Sequence, residues 1–152
     1  MSERIDYGAA APEGYKAFLA VYGAMQKCSL PRELVNLVYL RVSLINGCAY
    51  CIDLHSRDLL QGGMPPEKLA LAPVWREADA LFNEQERAAL AWAERLTHVA
   101  REGVPDADYQ AVTAVFNDRD VADLTYAVCL MNGMNRLAIS FRKTPAAVQA
   151  AR

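Results

Sequence analysis

Apolar residues recur along this chain at steps of three and four, the spacing that lays a stripe along one face of an α-helix. No segment alternates convincingly with the period of two that marks a half-buried strand. Tyr15, Phe18, Leu19, Tyr22 and Met25 predict a first helix over Pro12 to Cys28. Pro31, suited to a first helical turn, opens a second that carries Leu34, Val35, Leu37, Val38, Leu40, Val42, Leu44 and Ile45. Those residues run nearly all round the helix, which places it at the centre of the fold or at a subunit interface. Asn46-Gly47 is a turn signal, and a third helix follows over Cys48 to Leu60, ended by Gly62-Gly63. Pro65-Pro66 starts a short helix that Pro73 closes. Asn83 with Glu86 reads as a capping box opening a helix to Val99, and Pro105-Asp106 opens another to Phe116. Asp118 or Asp120 is expected to cap a last long helix to Arg142, stopped by Thr144-Pro145. The pattern predicts an all-α, single-domain bundle over 1–152, with about six to seven helices, a core over about 12–142 and a loose C-terminal tail.

Composition narrows the function classes. The chain has 152 residues, 53% hydrophobic and 22% charged, which excludes a disordered segment. Its net charge of −2 provides no basic footprint for nucleic acid or anionic lipid. The most apolar stretches, Val42 to Ile52 and Leu124 to Asn135, are too short and too polar to span a bilayer. Residues 1–6 show no apolar run after a basic start, so a cytoplasmic location is expected. The 26 alanines favour close-packed helices. Four cysteines in such a chain do not make a disulfide framework. Cys28 and Cys129 stand alone in apolar sequence and read as buried small hydrophobes. Glu84, Glu86, Arg87, Glu94 and Arg95 read as an ordinary solvated face.

The informative segment is Asn46-Gly47-Cys48-Ala49-Tyr50-Cys51-Ile52-Asp53-Leu54-His55. On a helix turning about 100° per residue, Cys51 lies about 60° and His55 about 20° from Cys48, so two thiols and an imidazole share one face. The cysteines occupy the first turn, where unpaired N–H groups and the helix dipole favour a thiolate. His55 can act as base to one thiol or as cationic partner to its thiolate. The segment fits a redox-active dithiol. A zinc site using Cys48, Cys51 and His55 with Cys28, His98 or Cys129 is the alternative, though no second Cys/His pair is present. On the preceding helix Glu33, Asn36, Tyr39, Ser43 and Asn46 form a polar stripe. If the helices fold back on each other, helical rise sets Ser43 near Cys51 and Tyr39 near His55, with Asn36 about a turn beyond. Asn36, Tyr39 and Ser43 are therefore expected as a second wall of the thiol site.

These residues resemble the alkylhydroperoxidase D-like branch of the carboxymuconolactone decarboxylase family. The resemblance rests on Asn46 to Cys51 with His55, and extends through Leu40-Arg41-Val42-Ser43, Trp75-Arg76-Glu77, Glu86 to Glu94, Asn132 and Asn135-Arg136. It implies an all-helical fold around a helical hairpin that carries the CxxCxxxH segment, assembled as a homo-oligomer, a trimer or hexamer. It also implies thiol-dependent reduction of a small hydroperoxide, with Cys51 attacking, Cys48 resolving and His55 in a proton relay. A dithiol reductant protein or a small thiol then restores the pair. No cofactor and no metal are implied. The family's relay glutamate falls on Asn36 here, which cannot accept and release a proton, and a histidine sometimes found between the cysteines is Tyr50. Other readings of the dithiol are a general thiol–disulfide oxidoreductase or a non-enzymatic redox sensor; a lactone decarboxylase has no evident need for the CxxC.

Overall fold

In a computed structural model describing residues 2–151, the chain is built from helices α1 (Tyr7–Ala10), α2 (Pro12–Met25), α3 (Arg32–Asn46), α4 (Ala49–Gln61), α5 (Pro66–Leu71), α6 (Glu84–Thr97), α7 (Val99–Glu102), α8 (Asp106–Thr113), α9 (Asp118–Phe141) and α10 (Ala146–Ala150). Two single 3₁₀ turns, Ala72–Val74 and Asp79–Leu81, bridge α5 to α6. The described residues contain no strand, so the all-α expectation holds. No helix among them is long and apolar enough to cross a membrane.

The apolar helix α3 is central. One side sets Leu34, Val35, Val38 and Val42 against Ala89, Trp92 and Ala93 of α6 and Leu124, Ala127 and Val128 of α9. The other side sets Leu37 and Leu40 against Leu59, Met64, Trp75, Phe82 and Leu90. Its apolar circumference is thus covered by α4, α6 and α9 of the same chain, and needs no subunit neighbour to explain it.

Several helix ends differ from the sequence reading for simple reasons. Pro31, Pro65 and Pro105 each sit one residue before their helix with extended ψ, whereas Pro12 and Pro66 occupy the first turn. Pro73 closes α5 as expected, directly after the Ala72 cap, and is itself accommodated in a 3₁₀ turn. α2 ends at Met25 rather than Cys28: Gln26 caps it, Lys27 and Cys28 follow in turns, and Ser29 bonds Asp120 and Asp123 of α9. The cap of α9 is Asn117, whose Oδ1 accepts from the Asp120 amide at 3.0 Å, while Asp118 and Asp120 occupy the first turn. The Asn83/Glu86 capping box is present. The tail is not loose: α10 docks on α4, with the Ala147 amide on Asp53 Oδ2 at 3.3 Å. The unforeseen α1 is capped by Asp6, which accepts from the Gly8 and Ala9 amides.

Two residues read as solvated face do structural work. Glu94 accepts from Arg41 Nε at 2.8 Å and Trp75 Nε1 at 2.7 Å, and pairs with Arg76, tying α3 and the 3₁₀ segment to α6. Glu86 is buried and pairs with Lys68 at 2.6 Å. Cys129 is exposed and Cys28 half-buried, so neither is the fully buried hydrophobe expected of it.

Candidate functional site: a thiol pair at a helix start

The hairpin turn builds the site. Gly47 takes the left-handed conformation, φ 70°, and lets α3 close as a Schellman turn, with the Gly47 amide on Leu44 O and the Cys48 amide on Ser43 O at 3.0 Å. That second bond ties Cys48 to the end of α3. Cys48 becomes the N-cap of α4 in extended conformation, with Cys51 one turn on and His55 one turn further. All three are buried, at 1%, 4% and 1% exposure, and the cysteines are free thiols.

Asn135 of α9, fully buried, is the group that backs them. Its Nδ2 donates to Ser43 Oγ at 3.1 Å and to Met131 Sδ at 3.4 Å, and its Oδ1 accepts from Asn46 Nδ2 at 3.0 Å. The Cys48 thiol is lowered to about 7, chiefly because the Cys51 thiol donates to it. Burial opposes that shift, and the amides of Cys51 and Tyr50 and the Asn135 side chain reinforce it. The two amides face the sulfur without closing a full capping bond. Cys51 moves the opposite way: donating to Cys48, burial and the neighbouring charge all hold its proton on, against donation from Asn135 and Ser43. The first proton the pair loses therefore comes from Cys48, near neutral pH.

His55 is pushed down to about 4 by burial, against the pull of Asp58, so it is a neutral imidazole at neutral pH. That removes the imidazolium option. Its Nδ1 lies 3.7 Å from Asp58 Oδ2 and has no hydrogen-bond partner. Tyr39 packs its ring 5.0 Å from the imidazole and 6.1 Å from Tyr22, and its buried hydroxyl is also unpartnered.

The structure therefore brings Ser43 and Tyr39 of the expected wall to the thiols and the imidazole. Asn36 is not on that wall. It is buried beside a separate open cavity of about 350 Å³, with Glu33, Asp58 and Gln61. Two turns of helix separate Asn36 from Ser43, and that distance carries it past His55. Asp58 was missed by the sequence reading, although its i+3 spacing from His55 was a usable signal. Among the described residues no group of three or more His, Cys, Asp or Glu is disposed to hold a metal ion.

Each sulfur borders its own cavity. Cys51 and His55 line one of about 210 Å³, walled by Tyr7, Tyr15, Tyr22 and Met134. Cys48 lines another of about 280 Å³ toward the C-terminal segment. Tyr50, Ala138 and Lys143 border both, and the Lys143 ammonium lies 5.2 Å from the Tyr7 ring and 5.3 Å from the Tyr50 ring.

The sequence pattern of the carboxymuconolactone decarboxylase family matches residues 12–95. The uncharacterized protein YdfG of Bacillus subtilis (strain 168) is 32% identical over 92% of this chain and 95% of its own length. A crystal structure of a protein of unknown function from Agrobacterium tumefaciens, suggested to be the antioxidant defence protein AhpD, superposes with a TM-score of 0.91 at 36% identity, covering 95% of this chain and 98% of that one. The debrominase Bmp8 has the same fold at 18% identity, with a TM-score of 0.79 over 94% of this chain and 76% of its own.

Proposed function

From the premise that this chain belongs to the carboxymuconolactone decarboxylase family, in its alkylhydroperoxidase D-like branch, a family of enzymes, we propose that it reduces small hydroperoxides through a Cys48/Cys51 dithiol–disulfide cycle. The observation that carries this reading is a pair of buried free thiols one helical turn apart at the start of α4, with Cys51 lining a largely apolar cavity. The cavity favours Cys51 as the sulfur the peroxide meets. The charge favours Cys48 as the base.

The Cys48 thiolate takes the Cys51 proton. The Cys51 sulfur then attacks the outer peroxide oxygen, the O–O bond breaks, and the alkoxide leaves as alcohol with the proton held by Cys48. Cys48, again a thiolate, attacks the Cys51 sulfenic acid, and hydroxide leaves as water with one proton from solvent. In sum, one thiolate, one thiol, a hydroperoxide and a proton become a disulfide, an alcohol and water. Neutral His55 beside Asp58 is suited to pass that last proton, in place of the glutamate that Asn36 replaces. Recycling requires a thiol reductant, and the enzyme works without a metal or organic cofactor. We further propose that it works in the cytoplasm, and as a homo-oligomer, the latter as its family resemblance implies.

Stopped-flow mixing of the reduced protein with cumene hydroperoxide tests the reading. Tryptophan fluorescence should change in a single burst, and mass mapping should find one Cys48–Cys51 disulfide. Cys51→Ser should abolish the burst, while Cys48→Ser, which lacks the base, should form more slowly a sulfenic acid on Cys51 that dimedone traps. Absence of the disulfide after peroxide would refute it. A disulfide that forms but never turns over with any thiol reductant would indicate a redox sensor.

A further inference from the structure

The two sulfurs open in different directions. The cavity at Cys51 does not reach Cys48, and the cavity at Cys48 does not reach Cys51. A thiolate that reduces a disulfide must approach one sulfur from the side away from the other. The cavity that borders Cys48 without bordering Cys51 is the candidate approach. Its volume of about 280 Å³ is small for a ligand cleft, which commonly holds about 300–1,000 Å³. Thr144, Pro145 and Val148 roof it, and α10 is held to α4 through Asp53, so the sulfur of a folded partner would have to displace this helix to reach Cys48.

The rim is cationic. Arg142 and Lys143 border this cavity, and no Asp or Glu does. Among the described residues neither side chain has a hydrogen bond or an ion pair; the Lys143 ammonium only overlies tyrosine rings. Arg142 is the sole non-glycine described residue with positive φ, at 58°, and the left-handed turn it makes closes α9 through the Lys143 amide on Ala138 O. That turn puts two consecutive cations over a cavity whose floor is a cysteine.

We propose that the cavity at Cys48 is the docking site of the reductant, and that the reductant is a low-molecular-weight thiol bearing carboxylate groups, held by Arg142 and Lys143. The inference rests on the dithiol cycle above. The thiolate of this molecule attacks the Cys48 sulfur, the Cys48–Cys51 bond breaks, and Cys51 leaves as thiolate and takes a proton in its own cavity beside His55. A second thiolate attacks the outer sulfur of the mixed disulfide, freeing Cys48 and releasing the small disulfide. Peroxide and reductant then use separate doors.

The test starts from protein oxidised with diamide, so that it does not depend on hydroperoxide chemistry. Four probes serve: mercaptosuccinate, 3-mercaptopropionate, 2-mercaptoethanol and cysteamine, each compared per thiolate present. Rates at low ionic strength should fall in that order, by about fivefold per unit charge, and converge as salt rises. Arg142→Asn, which keeps the left-handed turn, combined with Lys143→Gln should flatten the series. Acid quenching partway should find the mixed disulfide on Cys48. Rates that follow thiol basicity alone, a charge order that survives in the double variant, an adduct on Cys51, or a dithiol protein that outpaces mercaptosuccinate and is indifferent to both substitutions would each overturn the proposal. If the cations serve only the carbonyl end of α9, the double variant will lose stability and keep the charge order, which also overturns it. Failure of the peroxide burst with the charge series intact would refute the peroxidase reading instead.

Discussion

Acidification should unfold this protein through His55. The imidazole is buried at 1% exposure and its pKa is pushed down to about 4. In the unfolded chain it returns to about 6.5. The unfolded state therefore binds the extra proton first. The stability lost is zero well above 6.5, grows as the pH falls from 6.5 toward 4, and is complete below 4. Between about pH 7.5 and pH 5 the two pKa values give about 2 kcal/mol, and the full separation corresponds to about 3 kcal/mol. Against the total stability of an ordinary domain, about 5–15 kcal/mol, that is a large share. Carboxylates titrate in the same range, so the comparison is with His55→Gln. Urea unfolding of the reduced protein, followed by Trp75 and Trp92 fluorescence at both pH values, should show a loss about 2 kcal/mol greater in the native sequence than in the variant. Equal losses in the two proteins, or an imidazole that titrates near 6.5 by NMR, would refute the reasoning.

Asn135→Leu should raise the Cys48 thiol above about 7, seen as an upward shift in the pH midpoint of thiolate absorbance, because a donor to the sulfur is lost. It should also cost about 2–4 kcal/mol by taking the donor from buried Ser43 and leaving Asn46 bonded to Asn132 alone, measured by urea unfolding. Glu94→Gln removes the charge that Arg41 and Arg76 share and should cost about 1–3 kcal/mol in the same assay, without moving the thiol midpoint. Gly133→Ala should destabilise by about 1–3 kcal/mol although alanine normally improves a helix interior, because its Cβ would lie 2.6 Å from Phe18. That variant should also slow reduction of cumene hydroperoxide, since α2 carries Tyr15 and Tyr22 of the Cys51 cavity.

The hairpin was legible because its signals are local: an apolar run, an Asn-Gly turn, and thiols spaced by one helical turn. The helical rise that brought Tyr39 and Ser43 toward His55 and Cys51 used only that local geometry, and the coordinates agree with it. Asn36 fell elsewhere because it lies a helical turn beyond Tyr39, which sets it beside Asp58 and Leu59, past His55. Asn135 and Lys143 are about 84–95 residues from the cysteines, and no periodicity links positions so far apart. Glu86 and Glu94 looked solvated because charge spacing on a helix does not reveal the cations that Lys68, Arg41 and Arg76 bring from other segments. Cys129 was misplaced for a related reason: the apolar residues around it in sequence belong to both faces of α9, and its own face is the outer one.

Cys48 occupies the position where a helix normally carries a serine, threonine or aspartate. In the dithiol state a charged sulfur sits at the head of α4, facing the amides of Tyr50 and Cys51. Once the pair is oxidised, that charge is gone and the helix loses its anionic head. Secondary structure and electron count are thus linked at one atom. In the proposed cycle, whatever the thiolate contributes to anchoring α4 would be withheld from the disulfide, which would favour the reduced form. Amide hydrogen exchange at residues 50 and 51 becomes an electrode of sorts, slower when the protein holds two more electrons and faster when it has spent them.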